Sequence, residues 1–186
     1  MATPTLIVID VQRALDDPSH GERSNPDAER NIARAIEAWR EGGAPLIHVR
    51  HESEGLFAPG SETAQVKPEA LPRDGEPVLT KNANSAFIGT DLEERLRAAG
   101  VEAVAIVGLT TDHCVSATTR MASDLGFEAW VLADATAAHE RRTFDGELIP
   151  AETIHRTALA SLHGEFAEVL ETDEALARVA GSSRAA

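Results

Sequence analysis

The chain is short of several things, and each shortage removes a class of protein. Its one cysteine excludes an intramolecular disulfide, so a reducing, cytoplasmic setting is expected. No apolar run approaches about 18 residues, so no membrane-spanning helix is expected. Basic residues are scarce: 17 stand against 31 acidic ones, for a net charge of −14. No basic block interrupts that balance, which disfavours nucleic acid and anionic membrane as partners. Aromatics make up only 4% of the chain, leaving no obvious independent binding module. The start, Met1-Ala2-Thr3-Pro4-Thr5, lacks a basic n-region, and an unexported protein is expected. With no internal repeat, low-complexity segment or linker, residues 1–186 are read as one domain large enough to bury a core.

What the chain does contain is a series of apolar runs that end in polar residues. Leu6-Ile7-Val8-Ile9 runs into Asp10, Val78-Leu79-Thr80 into Lys81, and Ala103-Val104-Ala105-Ile106-Val107 stops at Gly108, six residues before Cys114. Uninterrupted β-branched runs read as strands buried on both faces. Further strands are expected at 44–50, 127–132 and 166–170. Between them, helical spacing appears at Ile32, Ala35, Ile36 and Trp39, with Asn25 as cap and Pro26 at the first position. Thr90 and Glu93 form a capping-box pattern for the helix of Leu92, Leu96 and Ala99. Val115, Thr118, Ala122 and Leu125 predict a helix ending near Gly126; Pro150 opens another to about Leu162, and Thr172 a last short one before a frayed tail from Ala180. Alternating strands and helices imply an α/β fold, a three-layer α/β/α sandwich on a mostly parallel, six-stranded, Rossmann-like sheet. The long segment His51 to Pro77 reads as a loop of the kind that covers a site.

Ligands of open α/β sheets bind beyond the carboxyl ends of the strands. Asp10, Lys81 and Cys114 all fall there. A carboxylate to take a thiol proton and an ammonium to stabilise the thiolate complete a nucleophile. A lone cysteine can also be a small buried hydrophobe. At a strand-to-helix turn, however, free amides and the helix dipole favour thiolate. An unassisted thiol is only about 3% ionised at neutral pH, so a shift of about two units would make most of it reactive.

Four pieces in order, Val8-Ile9-Asp10-Val11-Gln12, Thr80-Lys81 with Ser85-Ala86-Phe87 and Gly89-Thr90, Gly108-Leu109-Thr110-Thr111-Asp112-His113-Cys114-Val115, and Asp134-Ala135, resemble the isochorismatase-like cysteine hydrolases. That family includes nicotinamidases, carbamoylsarcosine amidases, ureidoacrylate amidases and isochorismatases. The resemblance runs from Leu6 to about Leu170. It implies a catalytic triad of Asp10, Lys81 and Cys114, a cis peptide between Leu109 and Thr110, and an oxyanion hole made by the Thr110 and Cys114 amides. It also implies a homodimer or homotetramer.

Family nicotinamidases hold a metal through an Asp-x-His pair at the end of the second strand. Here the segment reads His48-Val49-Arg50-His51. It lacks the aspartate, and positions 48 and 51 have opposite parity. No metal and no cofactor are expected, and the partner is a small-molecule substrate. Candidate substrate-binding residues are Arg50, His51, Phe57, Phe87 and His113, with structural roles as the alternative. Arg141, Arg142 and His155 are read as structural or surface residues, with contact to a substrate carboxylate as the alternative. Three functions remain open: a thiol amidohydrolase for a small carboxamide, carbamoyl or ureido substrate; a vinyl-ether hydrolase that does not need the cysteine; and a non-catalytic thiol sensor or assembly protein.

Overall fold

The computed structural model describes residues 3–183. Thr5–Ile9, buried at every position, forms the strand β1, as a run without polar alternation does when both faces are covered. It is joined in parallel by β2 (Leu46–His51), β3 (Val78–Lys81), β4 (Ala103–Leu109), β5 (Glu128–Ala137) and β8 (Glu168–Leu170), in the order β3-β2-β1-β4-β5-β8. The chain winds outward from β1 on one side and from β4 on the other. The carboxyl ends of those two strands therefore frame the switch point where such sheets bind ligands.

Helices α2 (Leu92–Ala98), α3 (Ser116–Asp124) and α4 (Ala151–Leu162) cover one face, packing on Ile7, Ile9, Ile47, Val49 and Ile106. Helices α1 (Ala28–Glu41) and α5 (Thr172–Ser183) cover the other, over Leu6, Val8, Leu46, Ala105 and Val107. Asp134 ties the second layer together. One of its carboxylate oxygens accepts from the Thr172 amide and hydroxyl, and the other from the Asn31 side chain.

The sequence misplaces several ends. Helix α1 starts at Ala28 after Asp27, because Asn25 adopts a left-handed backbone, φ 48°, and its side chain donates to the Thr136 carbonyl at 2.7 Å. Asp91 holds the cap position of α2; Thr90 contributes a hydroxyl to the Leu92 amide at 3.2 Å, while Glu93 pairs with Arg97. β5 runs five residues past the expected Leu132 because it keeps pairing with β4 as far as Leu109–Ala137. The loop after it contains a small antiparallel hairpin, β6 (Arg141–Arg142) with β7 (Leu148–Ile149). Helix α5 continues through Ser183, so the expected fraying from Ala180 is not observed up to that point; residues 184–186 lie outside the described ones.

The segment 52–77 is folded firmly onto the chain after β1. Its Lys67 amide donates to the Val11 carbonyl, and the Arg13 amide donates in return to its Gln65 carbonyl. The buried Lys67 ammonium reaches Asp16 and Glu29, with Arg23 on Glu29 as well. Burial raises the Glu29 carboxyl, but its hydrogen bonds to Arg23 and Lys67 outweigh that and hold it down at about 2. The loop therefore has a fixed shape and delivers Phe57 to the end of β2, edge-on to the His51 ring at 5.1 Å.

Candidate active site

Asp10 follows β1 in a left-handed conformation, φ 50°, which short polar side chains tolerate better than others. The turn closes at once, with the Gln12 amide donating to the Asp10 carbonyl at 2.8 Å. That bend takes the carboxylate out of the ladder and over the end of the sheet, where it is 2% exposed.

Lys81, the last residue of β3, is 1% exposed. Its ammonium lies 2.6 Å from Asp10 Oδ2, 3.3 Å from Cys114 Sγ and 3.3 Å from His51 Nδ1. A buried charge of this kind persists only when paired. Asp10 Oδ1, by contrast, is buried without a hydrogen-bond partner among the described residues, which leaves it as the acceptor for a proton.

Cys114 reaches this pair from β4. The strand ends at Gly108 and Leu109, the Leu109–Thr110 bond is cis, and residues Thr111–Val115 form a wide π-helical turn before α3 begins at Ser116. The turn is braced from behind: the Thr111 hydroxyl is 2.8 Å from Nδ1 of the buried His155. Cys114 thus lies in an irregular turn ahead of the α-helix, not in its first turn.

This changes the expected electrostatics. Burial, first, and the neighbouring Asp10 carboxylate, second, push the Cys114 thiol up to about 12, with the Lys81 ammonium opposing them. The Asp10 carboxyl is itself raised by burial, against the pull of Lys81. The resting site therefore holds a thiol and not a standing thiolate. The sequence expectation of an already ionised cysteine is corrected: removing the sulfur from water costs more than one shared ammonium returns.

Asp10, Cys114, Leu109, Thr110, His51, Phe57 and His113 line a cavity of about 220 Å³. Larger open grooves of about 830 and 910 Å³ contain none of the three candidate catalytic residues, and one of about 630 Å³ touches Lys81 but neither Asp10 nor Cys114. Of the expected substrate-binding residues, His51, Phe57 and His113 are in the cavity wall. Arg50 is not. Its alternate parity turns it to Thr80 Oγ1 at 2.9 Å and to Glu52 at 2.8 Å. Phe87 is not either, being core, stacked on Phe127 at 6.1 Å.

Leu15, His20, Asn84, His139 and Arg141 complete the wall. The sequence gives no reading for the first four and leaves Arg141 between a structural or surface role and contact with a substrate carboxylate. Asn84 lies inside the Lys81 to Phe87 stretch, and its Oδ1 is 3.8 Å from Cys114 Sγ, so that stretch held a signal. His20 and His139 come from separate loops, and only their ring contact, at 5.1 Å, joins them. Arg141 pairs with Asp112 at 3.0 Å, so its charge at the cavity rim is largely balanced. Arg142 instead reaches the Gly146 carbonyl within its own hairpin.

The metal arrangement of the nicotinamidases does not fit these residues. His48 faces away from the cavity, with Nε2 3.0 Å from Glu76 Oε2, and Glu76 is also bound by Arg40. His51 faces Lys81. Among the described residues no group of three or more His, Cys, Asp or Glu side chains converges as ligands.

A family model described as the isochorismatase domain matches residues 4–174. The isochorismatase-family protein YrdC of Bacillus subtilis is 47% identical over 172 residues, covering 91% of this chain and 92% of that one. A crystal structure of an isochorismatase-family protein from Chromobacterium violaceum superposes with a TM-score of 0.93 at 40% identity, covering 96% of this chain and 94% of the other. Ureidoacrylate amidohydrolase RutB of Methylobacterium radiotolerans is 30% identical over 203 residues, covering 89% of this chain and 75% of its own.

Proposed function

This chain belongs to the isochorismatase family of hydrolases, and we propose that it cleaves a C–N bond of a small carboxamide, carbamoyl or ureido substrate through a thioester on Cys114. The observation that carries this reading is the single ammonium of Lys81 touching both Asp10 and Cys114 in one buried corner of the cavity. The cavity is smaller than the roughly 300–1,000 Å³ typical of sites for drug-sized ligands, which favours a substrate of few heavy atoms. The amidohydrolase activity in the name of the RutB relative agrees with this class.

In this mechanism Asp10 Oδ1 takes the thiol proton as Sγ attacks the carbonyl carbon. Proton transfer and S–C bond formation occur together, because neither a free thiolate nor a free proton is cheap here. The carbonyl oxygen gains the negative charge and is held by the Thr110 and Cys114 amides. The C–N bond then breaks, with Asp10 returning its proton to the leaving nitrogen. Water, deprotonated by Asp10, attacks the thioester; the acid is released and the thiol is restored. Lys81 keeps Asp10 ionised between steps and offsets the charge on sulfur.

The test is a screen of small amides, carbamates and ureides for ammonia or amine release, repeated after alkylation of the single cysteine. Stoichiometric loss of activity supports the reading. If the alkylated protein still hydrolyses an amide, Cys114 is not its nucleophile; if the protein hydrolyses a vinyl ether and none of the amides, the vinyl-ether reading takes its place, and hydrolysis of neither kind points to a non-catalytic role. We propose in addition a cytoplasmic homodimer or homotetramer. The wholly exposed Phe144 and the exposed Leu148 on the β6–β7 hairpin are apolar surface suited to burial between copies. Light scattering at the 19.8 kDa monomer mass counts against that assembly.

A further inference from the structure

Lys81 has three ammonium protons and three neighbours. Asp10 takes one and Cys114 is placed for another. The third points at Nδ1 of His51, 3.3 Å away. An ammonium can only donate, so Nδ1 must be the bare nitrogen of a neutral ring, with the proton on Nε2. His51 is therefore committed to Lys81 at Nδ1, although it stands in the cavity wall.

The main chain of His51 is fixed as unusually as its ring. On one side it pairs with β3, where His51 is opposite Lys81 itself. On the other side β1 has already turned away at Asp10, and a backbone partner is missing. The side chain of Gln12, wholly buried, takes its place. Its Oε1 accepts from the His51 amide at 2.8 Å, and its Nε2 donates to the His51 carbonyl at 3.0 Å and to the Ala64 carbonyl at 2.8 Å. One primary amide thus imitates a strand's donor and acceptor at the residue that faces the lysine.

We infer that His51 is a positioning residue for Lys81. Clamped by Gln12, its Nδ1 accepts the third ammonium proton and keeps Nζ within reach of Cys114 Sγ, instead of collapsing onto Asp10 alone. This rests on the proposed pairing of Lys81 with the nucleophile. The groups facing the ring are Asp10 after β1, Lys81 from β3, Cys114 from the turn after β4, and the uncharged Phe57 from the loop.

The experiment measures the rate of Cys114 alkylation by iodoacetamide between pH 7 and 10, by intact mass, for wild type, Lys81→Ala, His51→Leu and His51→Gln. Without the acceptor, Nζ leaves the sulfur and the thiol becomes harder to ionise. His51→Leu should then label roughly tenfold more slowly at each pH, which corresponds to about one unit in the thiol pKa. His51→Gln, whose amide oxygen can accept from Lys81, should recover to within about threefold. If Lys81→Ala labels as fast as wild type, the pairing of lysine and cysteine itself fails. If Lys81→Ala slows while His51→Leu does not, or if Gln rescues no better than Leu, only the role of His51 fails. Nitrogen-15 NMR of the wild-type imidazoles, with His51 assigned from His51→Gln, tests the idea without depending on how the leucine variant folds. A protonated Nε2 and bare Nδ1 are expected, and the opposite tautomer overturns the inference.

Discussion

Gly108 lies opposite Ile9 in the ladder between the two central strands, at φ 123°, and a β-carbon added to it would fall 2.0 Å from the Ile9 carbonyl oxygen. The atom it meets is main chain, so no rotamer change relieves the clash. This close approach is what sets the turn carrying Cys114 beside the bend carrying Asp10. Gly108→Ala should lower unfolding stability by roughly 3 kcal/mol or more, read as a shift in the urea midpoint at pH 7. An unchanged midpoint would mean that the β1–β4 pair has slack at its end.

The thiol of Cys114, at about 12 instead of an ordinary 9, predicts slow alkylation of the resting protein at pH 7 and a rate that climbs steadily into alkaline solution. Asp10 contributes to that rise through its charge, whereas Lys81 opposes it. Asp10→Asn should therefore label faster than wild type at the same pH while losing hydrolysis, since the base is gone. Equal or slower labelling would mean that the carboxylate does not act on the sulfur.

Acid should loosen the loop before it melts the sheet. The Glu29 carboxyl is depressed from 4.5 to about 2 in the folded chain, so its contribution is fully present above about pH 4.5 and is lost as pH falls toward 2. The carboxylate is partly open to solvent, which limits its worth to about 1–2 kcal/mol. Lys67→Met should move the acid unfolding midpoint, followed by circular dichroism, to higher pH. An unmoved midpoint would show that the Lys67–Glu29 pair contributes nothing measurable.

Adding EDTA should leave hydrolysis of any substrate found in the amide screen unchanged, because His48 is committed to Glu76 and His51 to Lys81. Loss of activity that zinc, iron or manganese restores would show that these side chains rearrange to take a metal.

The resemblance to known hydrolases could be read from short motifs because each is local. Asp10, Lys81 and Cys114 follow apolar runs whose strand character is evident without tertiary information, and a parallel α/β sheet places strand ends on one edge. Parity along β2 also separated His48 from His51 correctly. The same rule leaves Arg50 open between a substrate-facing and a structural role: the sequence does not say which face of a strand end looks at the site, and only the pairing of β2 with β3 turns Arg50 to Thr80. Phe87 stays open in the sequence for a related reason, since an aromatic after a motif can pack into the core or line a cavity, and its stacking partner Phe127 is 40 residues away.

By itself, then, the sequence determined the α/β class, the order of strands and helices, and which three residues end up at the carboxyl edge, because these depend on the period and composition of contiguous segments. Tertiary structure alone decided the ionisation of the nucleophile. A strand-to-helix turn suggests a thiolate when read in one dimension, but burial beside Asp10 reverses the sign, and burial is a property of everything packed around the sulfur. It also decided the partners that complete the site: Gln12 against His51, Phe57 edge-on to that ring, and His20 against His139. These contacts join residues far apart in the chain whose types carry no periodic signal, so nothing short of the folded packing brings them together.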